Sequence, residues 1–398
     1  MTGLLLRNGV DATGATLDVR CADGRIAAVG LGGTLDAEAG DDVYELGGWL
    51  LLPALAEPHA HLDKALTADR VPNPTGDLVG AVEAWGRYRE RLTLDDIVER
   101  AERAARILLA NGTTAIRTHV DVADNVGMRC VEALGIVGER LAGLVDLQVV
   151  ALVAPWGDWG LLREAMAAGA HVVGGCPHLA GDRVGMQTYC LEVAGELDLP
   201  VDLHTDENLD ADSADLRAMA AWVRRTGFGR GVAASHCCSL GVQDEVEQAD
   251  TAAEVAEAGV AVITLPQTNL FLQGRDHRRS TPRGLTALRP LLRAGVVLAA
   301  GGDNLQDPFN LVGRGDPLEA ASLLVTAGHL LPDEAYEAVS NAARRAIGLE
   351  PVTLGAGSPA DLMALPAASP RAAIAFAPSP RVVVRAGRLV AVPDETKR

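Results

Sequence analysis

Two histidines, His59 and His61, stand two residues apart directly after the apolar run 49–56. Side chains alternate between the faces of a strand, so residues i and i+2 point the same way. Later apolar runs also end on polar residues: His119 and Asp121, His178, His204 and Glu207, His236, Gln267 and Asn269, then Asp303 and Asn304. Neutral imidazoles with one carboxylate suit a borderline divalent ion such as Zn²⁺ or Fe²⁺. A cation of that kind lowers the pKa of water from about 15.7 to roughly 7, which provides a nucleophile for an electrophilic carbon at neutral pH. In such a scheme Asp303 accepts the water's proton and His236 orients or polarises the nucleophile. Glu207, three residues after His204, stays off the metal and carries the proton to a leaving nitrogen. An isolated histidine usually packs or hydrogen-bonds, and His171, His277 and His329 read that way. His119 and His178 read as packed residues or as groups behind the ligands.

Eight apolar, β-rich runs recur in the centre of the chain with helix-forming stretches between them. Examples of those stretches are 94–112 and 250–259, each closing on glycine, a C-terminal helix signal. Eight strands alternating with helices over about 300 residues predict a (β/α)8 barrel of the TIM type, whose catalytic face is the C-terminal end of its strands. The polar set lies at those ends. The first 50 residues instead carry short β-runs broken by glycine and aspartate, and 362–392 repeats that texture in LMALP, AAIAFA and RVVVRAGRLVAV. The expected organisation is α/β: a small β-sandwich from 1–53 and 352–398 around a barrel spanning 54–351.

At 398 residues the chain can bury a large core, and its 48% apolar and 22% charged content is that of a folded soluble protein. A formal net charge of −18 repels polyanions, so neither nucleic acid nor an anionic membrane is an expected partner. Six scattered cysteines form no CxxC pair and read as reduced thiols of a cytoplasmic protein. Residues 1–6 do not read as a signal peptide, and no apolar stretch is long enough to span a membrane. The strands carry no GxGxxG or GxxxxGK[ST].

The segments EPHAHLD, THVDV, DLQVVA, HVVGGCPH, HTDE, ASH, TNLFLQGR and GGDNLQDPF occur in an order that resembles cytosine deaminase and its relatives in the amidohydrolase superfamily. The likeness covers about residues 50–350. It implies one catalytic metal, Zn²⁺ or Fe²⁺, held by His59, His61, His204 and Asp303, with His236 beside the activated water and Glu207 as proton shuttle. It also implies hydrolytic release of ammonia from an aminated ring. Two-metal members bridge their ions with a carboxylated lysine on the fourth strand. HVVGGCPH has none, and Lys64 after HxHLD reads as a surface or loop residue.

The substrate-reading groups depart from that pattern. LVAPW (152–156) replaces a glutamine that reads a pyrimidine edge, Asn304 replaces a second aspartate, and Phe309 takes the place of a tryptophan over the ring. Leu78 falls where the resemblance places a backbone carbonyl facing the substrate. Trp156, Asp158 and Trp159 could stack on or bond a ring, with loop packing the plainer reading. Asn269, Gln273 and Arg275 shape the pocket or brace the seventh loop. Cys237 and Cys238 read as small buried residues.

The favoured reading is a metal-dependent deaminase of a small amino-substituted N-heterocycle other than cytosine. The alternatives are release of an alkylamine from an N-alkyl triazine-type ring, and ring opening of a cyclic amide. A binding barrel without catalysis fits less well, because no ligand candidate is missing. Homo-oligomerisation is compatible with a barrel of this kind, and the sequence marks no interface.

Overall fold

The computed structural model describes residues 3–392, so the outermost parts of the expected β-domain, 1–2 and 393–398, lie outside the described residues. The chain opens with β1 (Leu4–Val10), β2 (Thr16–Ala22), β3 (Arg25–Leu31), β4 (Asp42–Glu45) and β5 (Leu50–Pro53). Eight short strands follow in the centre: β6 (Leu55–Ala60), β7 (Thr113–Val122), β8 (Asp146–Val153), β9 (Val172–Gly175), β10 (Val201–Thr205), β11 (Val232–His236), β12 (Ala261–Thr264) and β13 (Leu298–Ala300). Three more close the chain: β14 (Leu362–Leu365), β15 (Val382–Arg385) and β16 (Arg388–Ala391).

Strands β6 to β13 pair in sequence order, each parallel to the next. Parallel strands covered on both faces read as continuous apolar runs, and all ten residues of β7 are buried. The seam between β13 and β6 is closed by the candidate ligands. Asp303 donates its backbone N–H to the carbonyl of His59 at 3.0 Å, and His61 donates to the carbonyl of Asp303 at 3.1 Å. Barrel closure thereby sets the carboxylate against the HxH pair.

The remaining strands form one separate, mostly antiparallel sheet in the order β16-β15-β14-β5-β1-β2-β3, with β4 beside β1. C-terminal β14 pairs with N-terminal β5, while β5 and β1 meet at the single pair Val10 and Leu50. The expected small β-domain is thus one sheet drawn from both ends of the chain. The apolar run 49–56 is two strands: Leu50–Pro53 belongs to this sheet and Leu55–Ala60 to the barrel. One expected strand is a helix. AAIAFA lies in Pro370–Phe376, where Ser369 accepts from the N–H of Ala372 and Pro370 takes the first helical position.

Two helices matter for the site. Helix α1 (Leu78–Arg89) is capped by Asp77, which accepts from the N–H of Gly80. Helix α2 (Leu94–Ala110) is capped by Thr93 and stops before Gly112, whose φ of 96° only glycine adopts readily. The other expected helix runs over Glu245–Ala258 and ends on Gly259. All six cysteines are buried and unpaired. No helix among the described residues is long and apolar enough to cross a membrane.

Candidate active site

The ends of β6, β10, β11 and β13 bring His59, His61, His204, His236 and Asp303 into one buried cluster. His204 Nε2 lies 3.2 Å from His61 Nε2, and Asp303 Oδ1 lies 3.3 Å from His61 Nε2 and 3.7 Å from His59 Nε2. Ligands about 2.0–2.1 Å from one tetrahedral ion stand roughly 3.3 Å apart, so these spacings suit a shared cation. His59 Nε2 and both Asp303 oxygens are buried without a hydrogen-bond partner. Buried polar atoms are rarely left unpaired, and convergent unpaired acceptors are what a missing cation leaves behind. The residues therefore fit a divalent ion.

Their outer nitrogens fix the tautomers. His61 Nδ1 sits 3.2 Å from the carbonyl of His119, so it carries the hydrogen and Nε2 is left for a metal. His59 Nδ1 is 2.8 Å from Ser235 Oγ, whose hydroxyl donates to Asp202 Oδ1 at 2.8 Å. Asp202 also accepts from Arg117 Nη1 at 3.0 Å. This buried chain orients His59 from behind. His119 stacks on His59 with ring centroids 3.9 Å apart and lines no part of the cavity; His178 donates from Nδ1 to the carbonyl of His204, 3.1 Å away.

Glu207 lies in the loop beyond β10. Its carboxyl oxygens are 3.5 Å from His236 Nδ1 and 3.6 Å from His178 Nε2. Burial, with a smaller push from Asp303, raises its pKa well above the usual carboxylate range. Asn269 donates its amide to His236 Nδ1 at 3.0 Å, which leaves the hydrogen on Nε2, facing the cluster. Asn269 and Gln267 sit on the helix Pro266–Leu272 rather than on β12 itself. Gln273 donates to the Glu207 carbonyl at 3.2 Å, and Arg275 turns back to the Phe271 carbonyl. The N-x-x-x-Q-G-R segment thus braces Glu207 and His236 from outside. His236 and Asp303 hold φ values of 72° and 63°, sparsely populated for residues with a side chain, and such strain concentrates at functional sites.

A cavity opens over this floor. Leu78, Trp156, Asn304 and Phe309 all line it. Asn304 is itself held, donating to Asp307 Oδ2 at 2.8 Å. Asp158 spends its carboxylate on the N–H of Gly160, and Trp159 packs on Tyr189, so both behave as loop packing.

Lys64 is not at the surface. Its side chain is 5% exposed and lines the cavity, donating to Asp121 Oδ1 at 2.7 Å. Asp121 also accepts from Trp85 Nε1 at 2.7 Å, with Arg89 Nη1 at 3.5 Å. Glu57, on β6, is buried as well. It shares a strand face with His59, and its carboxyl accepts from the N–H of Gly302 at 2.9 Å and of His59 at 3.2 Å. A side chain at Gly301 would meet the Glu57 carboxyl at 2.3 Å and displace it from these two N–H groups. The period-two pattern E-x-H-x-H carried that signal.

The sequence profile of the Amidohydrolase family matches residues 145–391. The chain belongs to the amidohydrolase family. Pterin deaminase of Rhizobium rhizogenes is 33% identical over 390 residues, 95% of this chain and 89% of its own length. The crystal structure of 5-methylcytosine deaminase from Klebsiella pneumoniae superposes with a TM-score of 0.89 at 28% identity, covering 99% of this chain and 98% of that one. N-isopropylammelide isopropylaminohydrolase of Burkholderia multivorans gives 0.85 at 31% identity, with 98% of each chain covered. This amidohydrolase is thus a hydrolase of C–N bonds other than peptide bonds, with a barrel built to hold a divalent metal.

Proposed function

We propose that the protein hydrolytically deaminates a small amino-substituted N-heterocycle, using one Zn²⁺ or Fe²⁺ ion held by His59, His61, His204 and Asp303. The observation that carries this reading is Glu207: a buried carboxyl, its pKa raised by that burial, beside His236 and at the edge of a cluster of unpaired metal-ligating atoms. The ion, when bound, supplies a hydroxide-like nucleophile at neutral pH. Glu207 passes a proton to the leaving nitrogen, and Asp303 takes one from the incoming water. His236 donates through Nε2–H to the oxygen that adds to the ring. Water adds across the ring C=N bond with one of its hydrogens passing to the ring nitrogen; the exocyclic C–N bond then breaks as the C=O bond forms, and the amino group leaves as ammonia with the other hydrogen. Phe309, Trp156 and Leu78 enclose the flat ring, and Asn304 supports the wall beside Asp303.

Pterin and cytosine-type deaminases among the relatives support an aminated ring as substrate. The apolar wall of Leu78, Val82, Leu152 and Leu179 favours a second reading, loss of an alkylamine from an N-alkyl ring, as in the ammelide hydrolase. Strand β9 offers no lysine to bridge two metals, which weighs against ring opening at a two-metal site. Ammonia release by Zn²⁺- or Fe²⁺-loaded protein across aminopyrimidines, aminotriazines and pterins tests the first reading. Turnover of one ring class is the expected result. Release of an alkylamine from N-alkyl aminotriazines assayed beside them, with no ammonia from any member of the panel, would replace it with the second.

A further inference from the structure

The chain holds 33 arginines and two lysines, Lys64 and Lys397, and one of the two is buried in the wall of the catalytic cavity. An ammonium is a compact charge with three donors, whereas a guanidinium is a planar fork, so the two are not interchangeable in a tight site. The sequence uses arginine almost everywhere else. At position 64 it uses an ammonium.

Where the three protons of Lys64 go can be followed. Asp121 Oδ1 takes one at 2.7 Å, and Asp63, wholly buried, takes a second at 3.3 Å. The remaining close neighbour, His61 Nδ1 at 3.4 Å, already carries a hydrogen bonded to the His119 carbonyl and cannot accept. The Trp85 ring, its centroid 5.6 Å from the ammonium, offers only a weak cation–π contact, so one N–H remains for an acceptor in the cavity. Arg89 adds a second unspent donor, because its Nε is buried without a partner while Nη1 lies 3.5 Å from Asp121. Both Asp121 oxygens are engaged, by Lys64 and by Trp85. Arg100 fixes the turn from outside by donating to the carbonyls of Asp63 and Ala65 at 2.9 and 2.8 Å.

We propose that Lys64 and Arg89, held in place by Asp121, form the specificity subsite of this enzyme and bind an exocyclic oxygen on the substrate ring. Neither side chain can accept a hydrogen bond, so the ligand atom must be an acceptor. The charges of Lys64 and Arg89 are matched by those of Asp121 and Asp63, so a neutral ring carbonyl suffices and no anionic substituent is required. Lys64 touches the outer nitrogen of His61 while the opposite nitrogen faces the metal-ligand cluster. The bound oxygen thus lies on a different ring carbon from the one attacked. The inference rests on the aminohydrolase reading and narrows it to amino-oxo rings.

Matched ligand pairs that differ only in the ring oxygen test it: pterin against 2-aminopteridine, and isocytosine against 2-aminopyrimidine. Binding is measured on metal-loaded Glu207→Gln protein, so that ligand is not consumed. The oxo member of a pair should bind about 10- to 100-fold more tightly, the range for a hydrogen bond from a charged donor. Selective ¹⁵N-lysine labelling yields side-chain signals from two residues only. The Lys64 signal should shift with the oxo ligand and not with its partner, a response that a merely structural lysine would not give. Lys64→Met combined with Asp121→Asn removes both charges of the pair together. It should abolish the preference while the ligand lacking oxygen binds as before. Equal binding of both members by protein that releases ammonia from a panel substrate would overturn the subsite alone. Absence of binding for every pair, with no ammonia released by the unmutated enzyme, would overturn the aminohydrolase reading as well.

Discussion

At the scale of single residues, the orientation of two proposed metal ligands, His59 and His61, depends on the atom each touches on its far side. His59 presents Nε2 to the cluster because Nδ1 is held by Ser235, and Ser235 by Asp202. Replacing Ser235 by Ala, or Asp202 by Asn, should lower metal affinity by about 10- to 100-fold, the usual effect of losing a partner behind a ligand. Chelator competition measures this, and unchanged affinity would remove the orienting role. Glu57 makes a second prediction. Burial raises its pKa from 4.5 to about 8. A carboxyl raised on folding is fully compatible with the fold below pH 4.5, and its stabilising contribution is lost as pH rises towards 8. Metal-free protein should therefore become less stable across that window, and Glu57→Gln should flatten the dependence in thermal melts recorded from pH 4.5 to 8. A slope unchanged by the substitution would assign the effect to another group.

At the scale of elements, what could be read from the sequence was what a strand's own end displays. The HxH pair, HTDE, ASH and GGDN stand at or just past the ends of β6, β10, β11 and β13, where the alternation of apolar runs expects chemistry. Lys64 could not be read that way. HLDKAL has no periodicity of its own, and its burial is imposed by α1, α2 and Asp121, 57 residues further on. The strand expected at AAIAFA failed for a local reason that the sequence did contain. Ser-Pro ahead of an alanine-rich run is a helix start, and short apolar runs are otherwise ambiguous between helix and strand. The seventh barrel segment was half legible, since β12 is there but Gln267 and Asn269 belong to the helix after it.

At the scale of the whole molecule, the second sheet is joined to the barrel through buried charge. Asp361 accepts from Arg344 at 2.9 Å, from Arg385 at 3.2 Å and from the N–H of Ala386 at 2.8 Å, while Arg385 also reaches Asp146 on β8. Asp361→Ala leaves Arg344, whose side chain is 4% exposed, without its counter-charge. Losing one partner of a buried pair costs about 3–5 kcal/mol. Urea unfolding should show that loss while the turnover of the folded enzyme stays near normal, because Asp361 touches no part of the cavity. A large fall in turnover with unchanged stability would mean that the sheet takes part in the site. The division of labour reaches back to the chain's centre: barrel closure at His59, His61 and Asp303 gathers the proposed metal site, and the proposed catalytic assignment rests on Glu207 beside it. The most direct test compares metal content and turnover in Glu207→Gln and His59→Ala. Glu207→Gln should keep a near-normal metal content and lose about 10²- to 10⁴-fold in turnover, the range for a general acid or base, while His59→Ala should lose the metal. Full turnover in Glu207→Gln, or a full metal complement in His59→Ala, would contradict the account.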